Sequence, residues 1–200
     1  MPEKLRYYIL YKPYRVLCQF SPSPGKLTLA DVLRVPEDVY PVGRLDYESE
    51  GLLLLTNDKR LHTQLLHPHF AHPRAYWVQV EGEITPEAIV PLYQGIVIRI
   101  KRKTYRTLPL PVDAIQLLNE PPPVPERHPP IRYRRHIPTS WISIRLYEGK
   151  YHQIRKMMAA TGYPVLRLIR YAIGQLQLES MKPGEYREIA HQQAWLALQT

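Results

Sequence analysis

The chain has 200 residues, enough for one ordinary domain with room for two lobes and for a core that needs no metal or disulfide staples. Hydrophobic residues at 44% and charged residues at 22% exclude a wholly disordered or coiled-coil protein, and the longest apolar run is strand-sized, short of the roughly 20 residues that span a bilayer. Lys and Arg number 27 against 18 Asp and Glu, and the resulting +9 favours a polyanionic partner, since each neutralised phosphate releases counterions.

Arginine is twice as common as lysine, which suits forked phosphate contacts and stacking on bases. The single cysteine, Cys18, makes neither an internal disulfide nor a cysteine-based zinc site. With no signal-peptide pattern at the N-terminus, a cytoplasmic address is expected. Nothing in the sequence demands more than a monomer.

In chain order, strands are expected over residues 5–11 and 15–19, then a short helix over 29–34 with Thr28 as N-cap and Asp31 three residues on. The apolar run 51–56 reads as a buried strand. Residues 59–66 place Leu61, Leu65 and Leu66 on one helical face and stop before Pro68. Alternation over 75–80 predicts a strand. Thr85-Pro86-Glu87 opens a helix that Gly95 closes, with Pro91 inside it.

Further strands are expected over 96–100 and 112–118. Residues 119–138 hold seven prolines and read as an extended basic loop with Arg127, Arg132, Arg134 and Arg135. A strand over 141–147, a helix over 153–161 ending at Gly162, strands over 165–171 and 186–189, and a terminal helix over 192–198 complete the pattern. Strands come in adjacent pairs rather than in β-α-β alternation. That predicts an α+β fold with a mixed, mostly antiparallel sheet flanked by short helices.

Three stretches carry chemistry. Gly43-Arg44-Leu-Asp46 feeds the apolar strand, so a polar cluster sits at the edge of a rigid core. An isolated loop aspartate is ordinarily a turn or cap residue. Residues 148–158 place Arg155 and Lys156 near the start of a helix, where the helix dipole favours acids, so these bases call for an anion from elsewhere. Arg74, Tyr76 and Trp77 set aromatic faces beside a base, a pattern that suits stacking on nucleobases.

Histidines 62, 67, 69 and 72 lack the acid or cysteine that would complete a familiar ligand set, so no metal is expected. Asp46, Glu48 and Glu50 are too local to define a glycosidase carboxylate pair. The phosphate-loop, dinucleotide-binding and serine-hydrolase motifs are all missing from the sequence, so no nucleotide cofactor is expected.

Together these motifs resemble the pseudouridine synthases of the ribosomal small-subunit/large-subunit branch. The match runs through Gly43-Arg-Leu-Asp46 and Ser49-x-Gly51-Leu-Leu-Leu-Leu-Thr-Asn-Asp58, the opening strand Tyr8 to Tyr14, and Tyr76-Trp-Val-Gln-Val-Glu-Gly82. It continues through Glu148-Gly-x-x-x-Gln153-Ile-Arg155-Lys156-Met and the strand that begins at Pro164. Residues around Pro129 to Trp141 and Leu168 to Ala172 are similar to branch members that act on large-subunit (23S) rRNA. His152 stands where relatives often carry Arg or Asn, and Ser49 where many carry Thr.

The resemblance implies one catalytic domain over 1–200 without an N-terminal accessory RNA-binding domain, and a cleft carrying the catalytic aspartate. It implies an isomerase that remakes the uridine C1′–N1 bond as C1′–C5 with no cofactor. Asp46 is the implied nucleophile or base, Arg155 its ion-pair partner, and Tyr76 the ring that stacks on uracil. Ile154 packs against the base, Arg44 holds the backbone of the flipped nucleotide, and Lys156 belongs to the basic motif. Arg132, Arg134, Arg135 and the basic stretch 99–106 are the implied phosphate tracks. The remaining alternatives are a non-catalytic rRNA-binding or ribosome-assembly protein on the same fold, and nucleoside hydrolysis. The intact Asp46, Tyr76 and Arg155 set disfavours the first, and the want of a second placed acid the other.

Overall fold

A computed structural model of the chain describes residues 4–67, 70, 72–132 and 134–199. Its elements are β1 (Tyr7–Lys12), β2 (Val16–Leu17), β3 (Leu27–Thr28), β4 (Tyr40–Pro41), β5 (Glu50–Thr56), α1 (Lys59–Leu66), β6 (Arg74–Glu81), α2 (Pro86–Tyr93) and β7 (Val97–Ile100). They continue with β8 (Lys103–Arg106), β9 (Ile115–Leu118), β10 (Thr139–Leu146), α3 (Gln153–Ala160), β11 (Val165–Ile173), β12 (Leu176–Gln177), β13 (Tyr186–Glu188) and α4 (His191–Trp195). Two compact units emerge, Met1–Arg74 with Ile169–Thr200, and Ala75–Leu168; the division falls within β11.

In the first unit the strand order is β13-β1-β5-β11, with β4 on β5 and β12 on β11. Strand β5 is buried at every residue, as a continuous apolar run with both faces covered should be. Antiparallel β1 runs beside it from Tyr7↔Thr56 to Lys12↔Gly51. On its other side β11 is parallel, with Ile169 opposite Glu50 and Arg170 opposite Gly51. A Cβ on Gly51, whose φ is +106°, would stand 2.2 Å from the Arg170 carbonyl oxygen, so only glycine allows this approach.

Helix α1 starts at Asp58, whose carboxylate accepts from the backbone N–H of Arg60 and Leu61. The same carboxylate accepts from the Tyr7 hydroxyl at 2.8 Å, tying the cap to β1. Leu61 and Leu65 form the buried face of the helix.

The second unit has the strand order β11-β6-β10-β9 and a separate β7–β8 hairpin. Val78, Val80, Leu92, Ile142, Ile144 and Met157 form the centre of its core and are fully buried. Helix α2 has Pro86 in its first turn, as expected, and ends two residues beyond Pro91. The observed pairings are mostly antiparallel, with β5–β11 and β2–β3 parallel, and the α+β expectation holds.

Several local expectations are corrected. Residues 112–118 open as a 3₁₀ turn, Val112–Ala114, and become strand only at Ile115, because Pro109 and Pro111 carry no N–H for a ladder. The early helix shrinks to a 3₁₀ turn at Leu29–Asp31, although Asp31 does accept from the Thr28 N–H and hydroxyl at 2.8 and 2.9 Å. Strand 15–19 is reduced to Val16–Leu17, and the terminal helix gives way to a 3₁₀ turn after Trp195. The β8 strand was not anticipated. Among the described residues no helix is long and apolar enough to cross a membrane. The expected stop at Pro68 lies outside the described residues.

Gly51→Ala should cost roughly 3 kcal/mol or more, because strain at positive φ adds to a backbone clash. Gly25→Ala, at φ +70° but with open space around the new methyl, should cost only about 1 kcal/mol. Urea denaturation of both variants checks the contrast.

Candidate active site

The loop before β5 is braced from several directions. Gly43, at φ +72°, turns the chain. The Leu45 N–H donates to the buried Cys18 sulfur at 3.3 Å, and the Arg15 N–H donates to the Tyr47 carbonyl at 2.8 Å. A turn closes where the Ser49 N–H reaches the Asp46 carbonyl at 3.0 Å. Between these ties Asp46 is half-buried and Arg44 is exposed, whereas Leu45 is buried beneath them. The arrangement fixes a carboxylate at the rim of the core, with an arginine two residues away.

Lys12, Glu50 and Arg170 are all buried. The strand registers put Lys12, Gly51 and Arg170 in one row across β1, β5 and β11. Lys12 donates from Nζ to the carbonyls of Pro13 and Val16 at 2.7 and 2.8 Å. Arg170 donates from Nε to the Leu52 carbonyl at 2.8 Å. Burial pushes the Lys12 ammonium down to about 8, against the raising effect of Cys18, Glu50 and Asp46.

In the second unit, Tyr76 is half-buried on β6 and packs against the core. Ile154 and Met157 are buried in that core from α3, and Arg155 and Lys156 are the half-buried basic residues beside them. Arg155 reaches the Val165 carbonyl at 3.5 Å. The segment leading into α3 is held by Glu148, whose carboxylate accepts from the Tyr105 hydroxyl, the Leu108 N–H and the Gln153 side-chain amide. That carboxylate pushes the Tyr105 phenol up to about 12.

The proline-rich loop is less available than its composition implies. Arg127 donates to the carbonyls of Pro129, Pro130 and Leu166, and buried Arg167 donates to that of Pro125. Arg134 pairs with Glu81 at 2.9 Å, while Arg132 and Arg135 are exposed. Among the described residues no three His, Cys, Asp or Glu side chains gather as a metal cluster would, and His69 lies outside them.

Residues 6–160 match the family described as RNA pseudouridylate synthase. The chain belongs to that family. A protein of Vibrio vulnificus called ribosomal large subunit pseudouridine synthase E is 45% identical over 182 residues, 91% of this chain and 74% of that one. A protein of the same name from Xanthomonas campestris is 41% identical over 181 residues, 90% of this chain and 92% of that one. In fold, a crystal structure of a pseudouridylate synthase superposes with a TM-score of 0.76 at 24% identity, covering 98% of this chain and 74% of that one. The expected fold and the expectation of an RNA-modifying isomerase are both borne out.

The sequence set Arg44 and Asp46 on one braced loop of this synthase, and Ile154, Arg155 and Lys156 on one helix, and the structure does the same. Residues to which it gave no structural role are Lys12, Glu50, Arg170, Cys18 and Glu148. The signal for the first three was a charge embedded in, or abutting, an apolar strand run; the partner of Cys18, and Tyr105 and Leu108 among those of Glu148, lie far away in sequence.

Lys12 makes a pH prediction. Between pH 8 and its ordinary 10.5 the unfolded chain carries a proton on Lys12 that the folded chain lacks, so this group adds stability as pH rises through that window. The contribution is roughly 3 kcal/mol, present at the alkaline end and lost as pH falls through 8. Denaturation of the parent and of Lys12→Met at pH 7.5 to 10 (about the range before tyrosines ionise) should show the parent's stability rising relative to the variant's. Parallel curves would refute it.

Proposed function

We propose that this chain converts a uridine of large-subunit rRNA to pseudouridine. The observation that carries the reading is the braced Asp46 loop, which presents a half-buried carboxylate in a chain 45% identical to a relative named for that activity. The reaction breaks the C1′–N1 bond, rotates the uracil and forms C1′–C5. N1 gains a proton and C5 loses one, so no oxidant or reductant is needed and no cofactor is consumed.

Asp46 acts as nucleophile or base at the reacting nucleotide. It must be ionised for either role, and a guanidinium alongside favours that form. We assign this part to Arg155. Tyr76 stacks on the target uracil, and Ile154 gives apolar backing from the core. The uridine leaves its stack at a cost of a few kcal/mol, recovered from pocket and phosphate contacts. Arg44 holds the backbone of the flipped nucleotide, Lys156 contacts the RNA from the basic motif, and Arg132, Arg134 and Arg135 track phosphates further along.

Tritium release from C5-labelled uridine in large-subunit rRNA tests the reading. The parent should release tritium and Asp46→Asn should not, while its RNA affinity stays within about tenfold of the parent's. Release by the variant would remove Asp46 from the chemistry. No release by the parent from large-subunit rRNA would refute the substrate. Replacing Arg132, Arg134 and Arg135 together with Gln should flatten the salt dependence of binding by about two to three phosphate contacts. An unchanged slope would exclude them as a phosphate track.

A further inference from the structure

Tyr151 is 60% exposed at the start of the second unit's basic helix. Its ring stacks on His152 with centroids 4.0 Å apart and planes within 20°. The Lys156 ammonium lies 4.9 Å from the Tyr151 centroid, and that of Lys150 lies 4.9 Å from the centroid of Tyr105. One short segment thus carries two stacked rings and two cations at the surface, with Lys150 and Tyr151 exposed and His152 and Lys156 half-buried.

The segment is also fixed in shape. Glu148 takes three hydrogen bonds, from Tyr105, Leu108 and Gln153. The Lys150 N–H donates to the Gln153 side-chain oxygen at 2.9 Å, and the Gln153 N–H returns to the Lys150 carbonyl at 3.1 Å. His152 sits at φ 53°, ψ 33°, a left-handed conformation that a non-glycine residue adopts only when its surroundings enforce it. The one acid of the segment therefore has its oxygens engaged within the protein, and the neighbouring charges are cations.

An exposed tyrosine ring backed by a half-buried histidine on a rigid, cationic segment is the chemistry that receives an unpaired nucleobase. We infer that Tyr151 and His152 form a stacking platform for an unpaired base of the RNA substrate other than the reacting uridine, with Lys150 and Lys156 taking its flanking phosphates. The inference rests on the RNA-modifying reading above. The base extends the Tyr151–His152 stack, and Lys156 exchanges its contact with the ring for one with phosphate. Stacking of this kind tolerates any base, so the platform supplies grip and register.

Two probes separate stacking from charge: an oligouridylate of about 12 nucleotides and an abasic ribose-phosphate chain of equal length. The parent should prefer the base-bearing chain. Tyr151→Ala should weaken binding to it about tenfold and leave the abasic chain unaffected, while Tyr151→Phe keeps the preference. Tyr151→Leu retains apolar bulk without a ring face, and it should behave as Ala does even if the Ala variant is unstable. Lys150→Gln with Lys156→Gln should lower the salt slope by about 1.4 on both probes. A parent that binds both chains equally, or an Ala variant that loses nothing or loses equally on both, overturns the platform alone. A parent that binds neither chain nor large-subunit rRNA overturns the RNA reading itself.

Discussion

The parallel seam between β5 and β11 is the contact on which the first unit's chemistry depends. Gly51 has no side chain, so the Arg170 peptide closes on it to a distance that any Cβ would block. That approach sets Glu50 opposite Ile169 and fixes where β5 begins. The Asp46 loop ends at that point, and its position follows from the strand's register. A slip of one residue would send each side chain of β5 to the opposite face, and a strand buried on both faces next to charged neighbours does not tolerate that.

The same seam forces charges indoors. Lys12 and Arg170 flank Gly51 in the strand row, and Glu50 precedes it. Each is buried, and an isolated buried charge is expensive, so they persist because carbonyls and opposite charges meet them. Lys12 supports the turn at Pro13 and Val16, and the following residues Arg15 and Cys18 are the ones that tie down Tyr47 and Leu45. The buried ammonium and the candidate catalytic loop are therefore linked through one short stretch of backbone. In the second unit Glu148 has the corresponding part: a single carboxylate joins the hairpin strand, the following loop and the first turn of α3.

What was legible in the sequence divides along the range of the interaction. Strand β5 announced itself as an apolar run, and α1 has the predicted bounds because its apolar face is a local signal. The loop of Asp46 was legible as a motif through family resemblance. The 3₁₀ turn at Val112–Ala114 was misread because the apolar residues from Val112 to Leu118 read as one run, although Pro109, Pro111 and Asp113 disfavour a ladder at its start. Strands of two residues, such as Val16–Leu17, have no periodicity to read. The ties to Glu148 span 43 and 40 residues, and that of Cys18 to Leu45 spans 27, distances at which one sequence gives no pairing.

The net charge of +9 narrows once the arginines are placed. Arg127 and Arg167 donate to carbonyls in and beside the proline-rich loop, giving it the hydrogen bonds that its prolines cannot make for themselves. Arg170 is buried in the β5–β11 seam, and Arg134 is paired with Glu81. The charge open to solvent is therefore carried by a subset of the basic residues, among them exposed Arg44, Arg132, Arg135 and Lys150 and the tip of the β7–β8 hairpin. Phosphate contacts of that kind set affinity without reading bases, because every phosphate is alike. On the reading proposed above, base contacts on the second unit fall to the ring of Tyr76 on a strand and to Tyr151 and His152 on a pinned segment, and the latter pair grips a base without selecting it. On that reading charge brings the RNA to the surface, and the placement of a few aromatic rings sets the register in which it rests.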